Sequence, residues 1–331
     1  GVHNVPSATH LKAAPQDTVR VAFDQNGVIY PSNPDAPPIR QPRIGSNYAF
    51  SISHELGRVG YSYGPTDIDE SLAFFAKTLN DKAERRSANC LVVLIHGYNN
   101  SVKAASANYE CIRKKLQALP RLQPVYLEVF WDGLHRGPLT VPAPLLYWFD
   151  ALTYSNLAGQ VGLRSLLNGR PPNLPILFLT HSRGAGVALS CVADPLYDAR
   201  IQVGEYEAPN FRSAKGVALI CLAPAVGNGH PPSRVRSSLP LNSSLGIGFN
   251  TRDPALQKSI INERYFGDTS FGTNEIAFQE AVGQVNSSDD WLHRSIYEDY
   301  PKHDLMGYLE HEGGQPFLAL LGRAAATLGL A

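Results

Sequence analysis

Three side chains in the sequence could together carry out nucleophilic catalysis, and they occur along the chain in the order Ser182, Asp253 and His303. A serine hydroxyl is a weak nucleophile at neutral pH, so it needs a base to take its proton, and the base needs an acid to orient it. The sequence therefore predicts acyl transfer with Ser182 as nucleophile, His303 as base and Asp253 as orienting acid.

Ser182 lies in the stretch LPILFLTHSRGAGVALS, between an apolar run and a run of small and aliphatic residues. A strand, a sharp turn with serine at its tip and then a helix form the context of a nucleophile elbow. Gly184 and Gly186 supply the small residues that this strained turn needs, but Thr180 stands where the commoner G-x-S-x-G pattern has its first glycine. The alternative is a buried structural serine at the start of a helix.

Asp253 follows the apolar run 245–249, and Pro254 directly after it favours a turn. Because ligands of parallel sheets bind at the carboxyl ends of the strands, this is the expected address of a catalytic acid. The alternative is an ordinary Asp-Pro turn residue. Other acids compete for the role, but they lie in polar stretches that no buried strand precedes: Asp268, Asp289 and Asp290.

His303 lies between a possible final strand over 295–300 and a helical pattern that begins just past it. Such a loop is the expected place for the base. Three other histidines follow the serine, namely His230, His293 and His311, of which the last two resemble surface or helix residues. His181 is beside the nucleophile, where in-line hydrogen bonding to Ser182 is awkward, so we interpret it as a packing residue.

A developing oxyanion needs two backbone N–H groups. One is expected from Arg183, at a helix N-terminus whose dipole favours negative charge. The other is expected from the loop after the first buried strand, at Tyr98 with Asn99 beside it. Gly97 lets this loop turn tightly, and His96 is interpreted as a structural residue that locks the loop by hydrogen bonding.

The elements that must position these residues alternate between strands and helices. Apolar runs predict buried strands over 90–95, 125–131, 176–179, 216–222 and 245–249. Helical patterns cover 71–86 and 102–118, and another follows Ser182. The sequence predicts an α/β protein: one mainly parallel sheet with helices on both faces.

Residues 1–65 are predicted to form a lead with short edge strands, and residues 66–331 the catalytic core. Within the lead we expect a hairpin that turns at Asn26-Gly27, and two further edge strands over Ala49–Ile52 and Arg58–Tyr63.

The connection over 132–173 is long and contains a proline-rich beginning. One interpretation is an ordinary helix after that beginning. The other is an apolar lid or flap beside the active site, in which Trp148 and Phe149 would contact the substrate.

Bulk composition argues against nucleic-acid binding and against a membrane-spanning segment. The chain has 331 residues, 44% of them hydrophobic, and its 29 basic and 29 acidic residues cancel. No charge run recommends a nucleic-acid partner. The most apolar long window, 141–163, carries Asp150, Asn156 and Gln160 and is a poor membrane span.

The four cysteines, Cys90, Cys111, Cys191 and Cys221, form no C-x-x-C pair. Buried free thiols are the simpler interpretation, and they favour a reducing, cytoplasmic location. Neither a His-Glu-x-x-His metal motif nor a phosphate loop occurs, so no cofactor and no metal are expected.

Three motifs, LVVLIHGYNNS, THSRG and YPKHDLMGYLEH, resemble those of the bacterial α/β-hydrolase superfamily, within it a little-characterised branch with an HGYNNS-type oxyanion loop. The likeness extends from about Ser71 to the C-terminus. It implies Ser182 as nucleophile, His303 as base and the loop of Tyr98 and Asn99 as oxyanion donor. Where members often carry methionine after the serine, this chain has arginine, which we expect near the pocket mouth.

These observations predict a serine hydrolase that cleaves carboxylic esters, esterase- or lipase-like, through an acyl-enzyme. The expected substrate is a small-molecule or lipid ester. The same residues would also suit an amidase, peptidase or thioesterase. A non-catalytic binding protein with the α/β-hydrolase fold is the alternative from another class.

Overall fold

The computed structural model describes residues 14–37, 51–98, 100, 102–132, 143–196, 207–257, 267–287 and 289–331. Side chains are described throughout these ranges except over 143–149 and 267–268. Asn99 and the side chains of Trp148, Phe149 and Asp268 therefore lie outside the described residues, and their predicted roles stay predictions.

The described strands form one seven-stranded sheet in the order β1-β3-β2-β4-β5-β6-β7, and each pair of neighbours runs parallel. The strands are β1 (Thr18–Phe23), β2 (Cys90–Ile95), β3 (Pro124–Trp131), β4 (Ile176–His181), β5 (Val217–Leu222), β6 (Ser243–Phe249) and β7 (Leu292–Ile296). Every residue of β2, β4 and β5 is buried, as expected for parallel strands covered on both faces.

Helices connect the strands and cover the sheet. They are α1 (Ile52–Arg58), α2 (Pro65–Arg85), α3 (Val102–Leu116), α4 (Ala143–Leu157), α5 (Arg164–Asn168), α6 (Gly184–Val192), α7 (Pro232–Ser237), α8 (Pro254–Gln257), α9 (Glu275–Val285), α10 (Leu305–Glu310) and α11 (Gln315–Thr327). A π-helix over Ala158–Leu163 joins α4 to α5. Among the described helices, none combines the length and apolarity needed to cross a bilayer.

Two apolar cores lie on opposite faces of the sheet, because successive strand side chains point to opposite sides. Leu91, Val93 and Ile95 of β2 face the core that α2, α4 and α6 cover. The core on the other face contains Val92 and Leu94 and is covered by α3, α10 and α11. This is the α/β-hydrolase fold that the sequence predicts.

The N-terminal part differs from the prediction at two predicted strands. The predicted hairpin is present as a bridge from Phe23 to Ile29, and β1 is the edge strand of the central sheet. The predicted strand over Ala49–Ile52 is wrong at Ile52, where α1 begins, and Arg58–Tyr63 is the end of α1 and a loop. Ile52 and Leu56, which are four residues apart, are both buried, and this spacing places them on one face of a helix.

The final strand also begins earlier than predicted. It covers Leu292–Ile296 rather than 295–300, so His293 is a half-buried residue of an edge strand and not a helix residue. All four cysteines are free; Cys90, Cys191 and Cys221 are buried as predicted, whereas Cys111 is half-buried.

The connection over 132–173 is helical from Ala143 onward, as the ordinary-helix interpretation predicts. Its π-helix packs closely on α6, since a Cβ added to Gly159 would lie 2.2 Å from the carbonyl oxygen of Val187. Residues 133–142 and the side chains over 143–149 lie outside the described residues, so the lid or flap interpretation of 132–173 stays a prediction.

Candidate active site

The three residues predicted to carry the chemistry follow three different strands at the same edge of the sheet. Ser182 comes directly after β4, Asp253 after β6 and His303 after β7. Because all these strands are parallel, their carboxyl ends meet at one edge, where open α/β sheets bind ligands.

Ser182 occupies a strained turn between β4 and α6. Its φ of 55° lies in the left-handed region, which is unusual for a residue other than glycine. Its backbone N–H donates to the carbonyl of Leu222 at 2.9 Å, and its own carbonyl accepts from Ala225 at 3.1 Å. The end of β5 therefore holds in place a strand-to-helix turn of the kind that the sequence predicts, which we call the elbow.

Two glycines allow the loop after β2 to lie against this turn. A Cβ on Gly97 would come within 2.7 Å of the Ser182 Cβ, and a Cβ on Gly184 within 2.5 Å of the Ile95 carbonyl oxygen. Both distances are shorter than real Cβ contacts. The loop and the elbow thus touch through backbone atoms.

Asp253 and His303 form a direct hydrogen bond, in which Nδ1 of the imidazole donates to Oδ2 of the carboxylate over 2.6 Å. The carboxylate is fully buried, whereas the imidazole is one-quarter exposed. The backbone N–H groups of Ala255 and Leu256 donate to Oδ1 at 3.0 and 3.1 Å. Because an ionised carboxylate only accepts, the bond fixes the proton of His303 on Nδ1 and leaves Nε2 as the acceptor nitrogen of the ring.

A fourth donor to Asp253 was not predicted from the sequence. The hydroxyl of Tyr308 donates to Oδ2 over 2.6 Å. Burial, and then the negative charge of Asp253, raise the pKa of Tyr308 above its ordinary value, so the phenol keeps its proton. The one available signal was its place in the YPKHDLMGYLEH motif, five residues beyond the histidine.

His181 ties the elbow to the His303 loop. Its Nε2 donates to the backbone carbonyl of His303 at 2.7 Å, and the two rings lie 4.9 Å apart between centroids. Burial lowers the pKa of His181 to about 3, and the facing His303 contributes to the shift. The ring is therefore neutral at physiological pH, which suits the predicted structural role.

His96 locks the loop after β2, as predicted. Its Nδ1 donates to the Gly97 carbonyl at 2.9 Å, and its Nε2 accepts from the backbone N–H of Trp131 at 3.1 Å. The indole N–H of Trp131 donates in turn to the His96 carbonyl at 2.8 Å. Burial lowers the pKa of His96 to about 4, which keeps the ring in the neutral form that these bonds require.

The Arg183 side chain is not at the pocket mouth, and that expectation is wrong. The side chain is buried, and it points toward α4. Its Nε donates to Ser155 Oγ and its Nη2 to Asn156 Oδ1, both at 2.8 Å, while Nη1 donates to the Ala225 carbonyl at 3.1 Å. The guanidinium turns inward because these acceptors satisfy it there, so it fastens the elbow to α4.

Arg183→Met is expected to lower the free energy of unfolding by about 3 kcal/mol, because it leaves buried acceptors on α4 without their donor. Chemical denaturation measures the change. The matched control is Arg252→Met, whose parent side chain is 55% exposed in an ion pair with Asp299. The control is expected to change the free energy by about 0.5 kcal/mol or less. An equal loss in both variants would contradict the buried-clamp interpretation.

Three of the competing acids and bases have other partners. His230 bonds to Ser190 at 2.8 Å inside the protein, and His311 donates to the Glu298 carbonyl at 2.6 Å. Asp289 pairs with Arg236 at the surface. None of these contacts involves Ser182.

Comparison with known proteins gives few matches. No protein-family model matches the chain, and neither does any curated protein. Among solved structures, the apo form of esterase 2 from Thermogutta terrifontis matches with 13% identity over 73% of this chain and 83% of that chain, with a TM-score of 0.42. The propionate-bound form of this thermophilic planctomycete esterase matches with 14% identity over 73% and 85%, with a TM-score of 0.41.

Proposed function

We propose that the protein is a serine hydrolase that cleaves carboxylic esters, with Ser182, His303 and Asp253 as its catalytic triad. The observation that supports this most strongly is the 2.6 Å hydrogen bond between His303 Nδ1 and the buried Asp253 carboxylate. It occurs at the sheet edge where Ser182 sits in a strained strand-to-helix turn. This pairing gives the imidazole the tautomer that a general base needs.

In the proposed reaction, Ser182 Oγ attacks the ester carbonyl carbon while its proton passes to Nε2 of His303. Collapse of the tetrahedral intermediate breaks the bond to the leaving alkoxide, which takes the proton back from His303. Water then attacks the acyl-enzyme as His303 removes its proton, and the second collapse releases the carboxylic acid and regenerates Ser182. Asp253 stabilises the imidazolium form in both halves.

The oxyanion would be bound by the backbone N–H groups of Arg183 and Tyr98. Arg183 precedes the first residue of α6, so its N–H lies at the positive end of a helix dipole. Tyr98 follows Gly97, whose Cα lies against the Ser182 side chain. This contact supports the assignment, because both donors must lie within a hydrogen bond of the same oxygen.

A substrate panel tests the ester assignment. Matched acyl groups are presented as p-nitrophenyl esters, p-nitroanilides and thioesters, and kcat/KM is compared. We expect the esters to be turned over fastest. Preference for the anilides or thioesters would favour an amidase or thioesterase that uses the same triad. Turnover of none by folded protein would contradict the proposal and favour a binding protein.

Gly97→Ala is expected to lower kcat/KM for an ester by about 100-fold, because the new methyl group must push the loop away from Ser182 and displace the Tyr98 N–H. The matched control is Gly283→Ala in α9, where an added Cβ meets nothing within 4 Å. That variant keeps its activity and gains up to about 1 kcal/mol of stability from helix propensity. Equal activities in both variants would argue against the oxyanion role of this loop.

A further inference from the structure

The carboxylate oxygen that holds the proposed base is shared with a second donor. Oδ2 of Asp253 accepts from His303 Nδ1 and from the Tyr308 hydroxyl, both over 2.6 Å. Tyr308 is fully buried and lies in α10, directly after the loop that carries His303. One short segment thus supplies both donors to the same oxygen.

The direction of the Tyr308 hydroxyl proton follows from Asn250. The backbone N–H of Arg252 donates to the Asn250 side chain at 3.0 Å, so the atom it meets must be the amide oxygen Oδ1. The amide nitrogen therefore faces the Tyr300 carbonyl at 2.7 Å and the Tyr308 oxygen at 3.2 Å. Because Tyr308 accepts there, its one proton goes to Asp253.

Asp253 consequently accepts from four donors in a buried site. Two backbone N–H groups hold Oδ1, and the side chains of His303 and Tyr308 hold Oδ2. Charge-assisted bonds of this kind are stronger than neutral ones. Of these four donors, two bond to Oδ2. If the Tyr308 hydroxyl were removed, only the His303 imidazole of the four would still bond to Oδ2.

Tyr308 is itself held by its neighbours. Its carbonyl accepts from the Tyr297 hydroxyl at 2.7 Å, and the two rings lie 4.7 Å apart. The Tyr300 ring meets it edge-on at 5.3 Å and covers Gly307, where an added Cβ would lie 1.6 Å from the Tyr300 hydroxyl. The Tyr297 and Tyr300 rings keep Tyr308 in register with His303, and a tyrosine-to-phenylalanine change at position 297 leaves this ring packing in place.

We propose that Tyr308 is a positioning residue for ester hydrolysis, whose hydroxyl holds Oδ2 of Asp253 toward His303 Nδ1. The inference rests on the proposed function for its kinetic consequence. The sharing of Oδ2 between the two protons does not depend on any substrate.

The test compares Tyr308→Phe with Tyr297→Phe, a matched control that removes a buried hydroxyl from the adjoining ring without touching Asp253. Tyr308→Phe is expected to lower kcat about 10- to 100-fold, the equivalent of one hydrogen bond to a charged group, with KM nearly unchanged. Tyr297→Phe is expected to keep kcat within about threefold. A wild-type kcat in Tyr308→Phe, or equal losses in both variants, would overturn the proposal.

Proton NMR of the free protein gives a second readout that needs no turnover. The low-field resonance of the His303 Nδ1 proton should move in Tyr308→Phe and stay in place in Tyr297→Phe. In the unmodified protein it should show a nuclear Overhauser effect to the Tyr308 hydroxyl proton. Absence of that effect would overturn the proposal even if Tyr308→Phe does not fold. An inactive wild-type protein that shows it would refute ester hydrolysis and leave the positioning contact established.

Discussion

Ser182→Ala is expected to lower kcat for a p-nitrophenyl ester by about 10⁵- to 10⁶-fold, the scale on which serine hydrolases lose activity when the nucleophile is removed. The methyl group cannot form the acyl-enzyme, so any residual rate comes from water attacking a bound ester. Loss of the hydroxyl should barely change the fold, because the contacts that hold the turn are made by backbone atoms. The measurement is kcat with the melting temperature recorded beside it.

Ser165→Ala serves as the control for this variant. The Ser165 hydroxyl donates to the Val161 carbonyl within its own helical segment. Its removal is expected to leave kcat within about threefold. A Ser182→Ala protein that retains more than about one-hundredth of the wild-type kcat would exclude Ser182 as the nucleophile.

Asp253→Asn is expected to lower kcat by about 10⁴-fold, because it places a donor where an acceptor is required. The backbone N–H groups of Ala255 and Leu256 need the amide oxygen at the Oδ1 position. The amide N–H₂ then faces Tyr308 and His303, and the imidazole must move its proton to Nε2. In that tautomer it cannot accept the proton of Ser182.

Asp304→Asn is the matched control, one residue from the base. Asp304 caps α10 through the Gly307 N–H at 3.2 Å and accepts from the Tyr300 hydroxyl. Asparagine caps helices about as well as aspartate, so this variant should keep kcat within about tenfold. If Asp253→Asn were no slower than Asp304→Asn, Asp253 could not be the orienting acid.

Much of this arrangement was predictable because the sheet is parallel and its strands are buried on both faces. Long apolar runs mark such strands in the sequence, and the residue just past each run must lie at the binding edge. That reasoning selected Asp253 after 245–249, whereas His303 was selected from its place between a possible last strand and the helical pattern that follows. The structure joins them by a hydrogen bond.

The contacts of Arg183 and Tyr308 were not predictable from their neighbours in sequence. The acceptors of the Arg183 guanidinium lie on α4, far upstream of the elbow, and no local pattern shows which helix packs there. The cation after the nucleophile was therefore expected near the pocket mouth. Tyr308 had the helical spacing of an ordinary core residue, and its partner Asp253 comes from a different strand end.

Two element errors have simpler causes. The last strand was placed too late in the chain because His293 and Arg294 make β7 look polar. An edge strand is paired on one side and need not be apolar throughout. The seven-residue helix α1 was partly predicted as a strand. So short a stretch has too few apolar residues to distinguish the helical spacing of about 3.6 residues from the strand spacing of two.

Labelling with a fluorophosphonate, followed by intact-mass measurement and peptide mapping, tests the central claim most directly. The reagent requires an activated serine, so it reports the nucleophile whatever the natural ester is. We expect a single adduct on the peptide that contains Ser182, and none in the Ser182→Ala protein. An adduct on another residue, or folded protein that stays unlabelled, would contradict the assignment of Ser182 as the catalytic nucleophile.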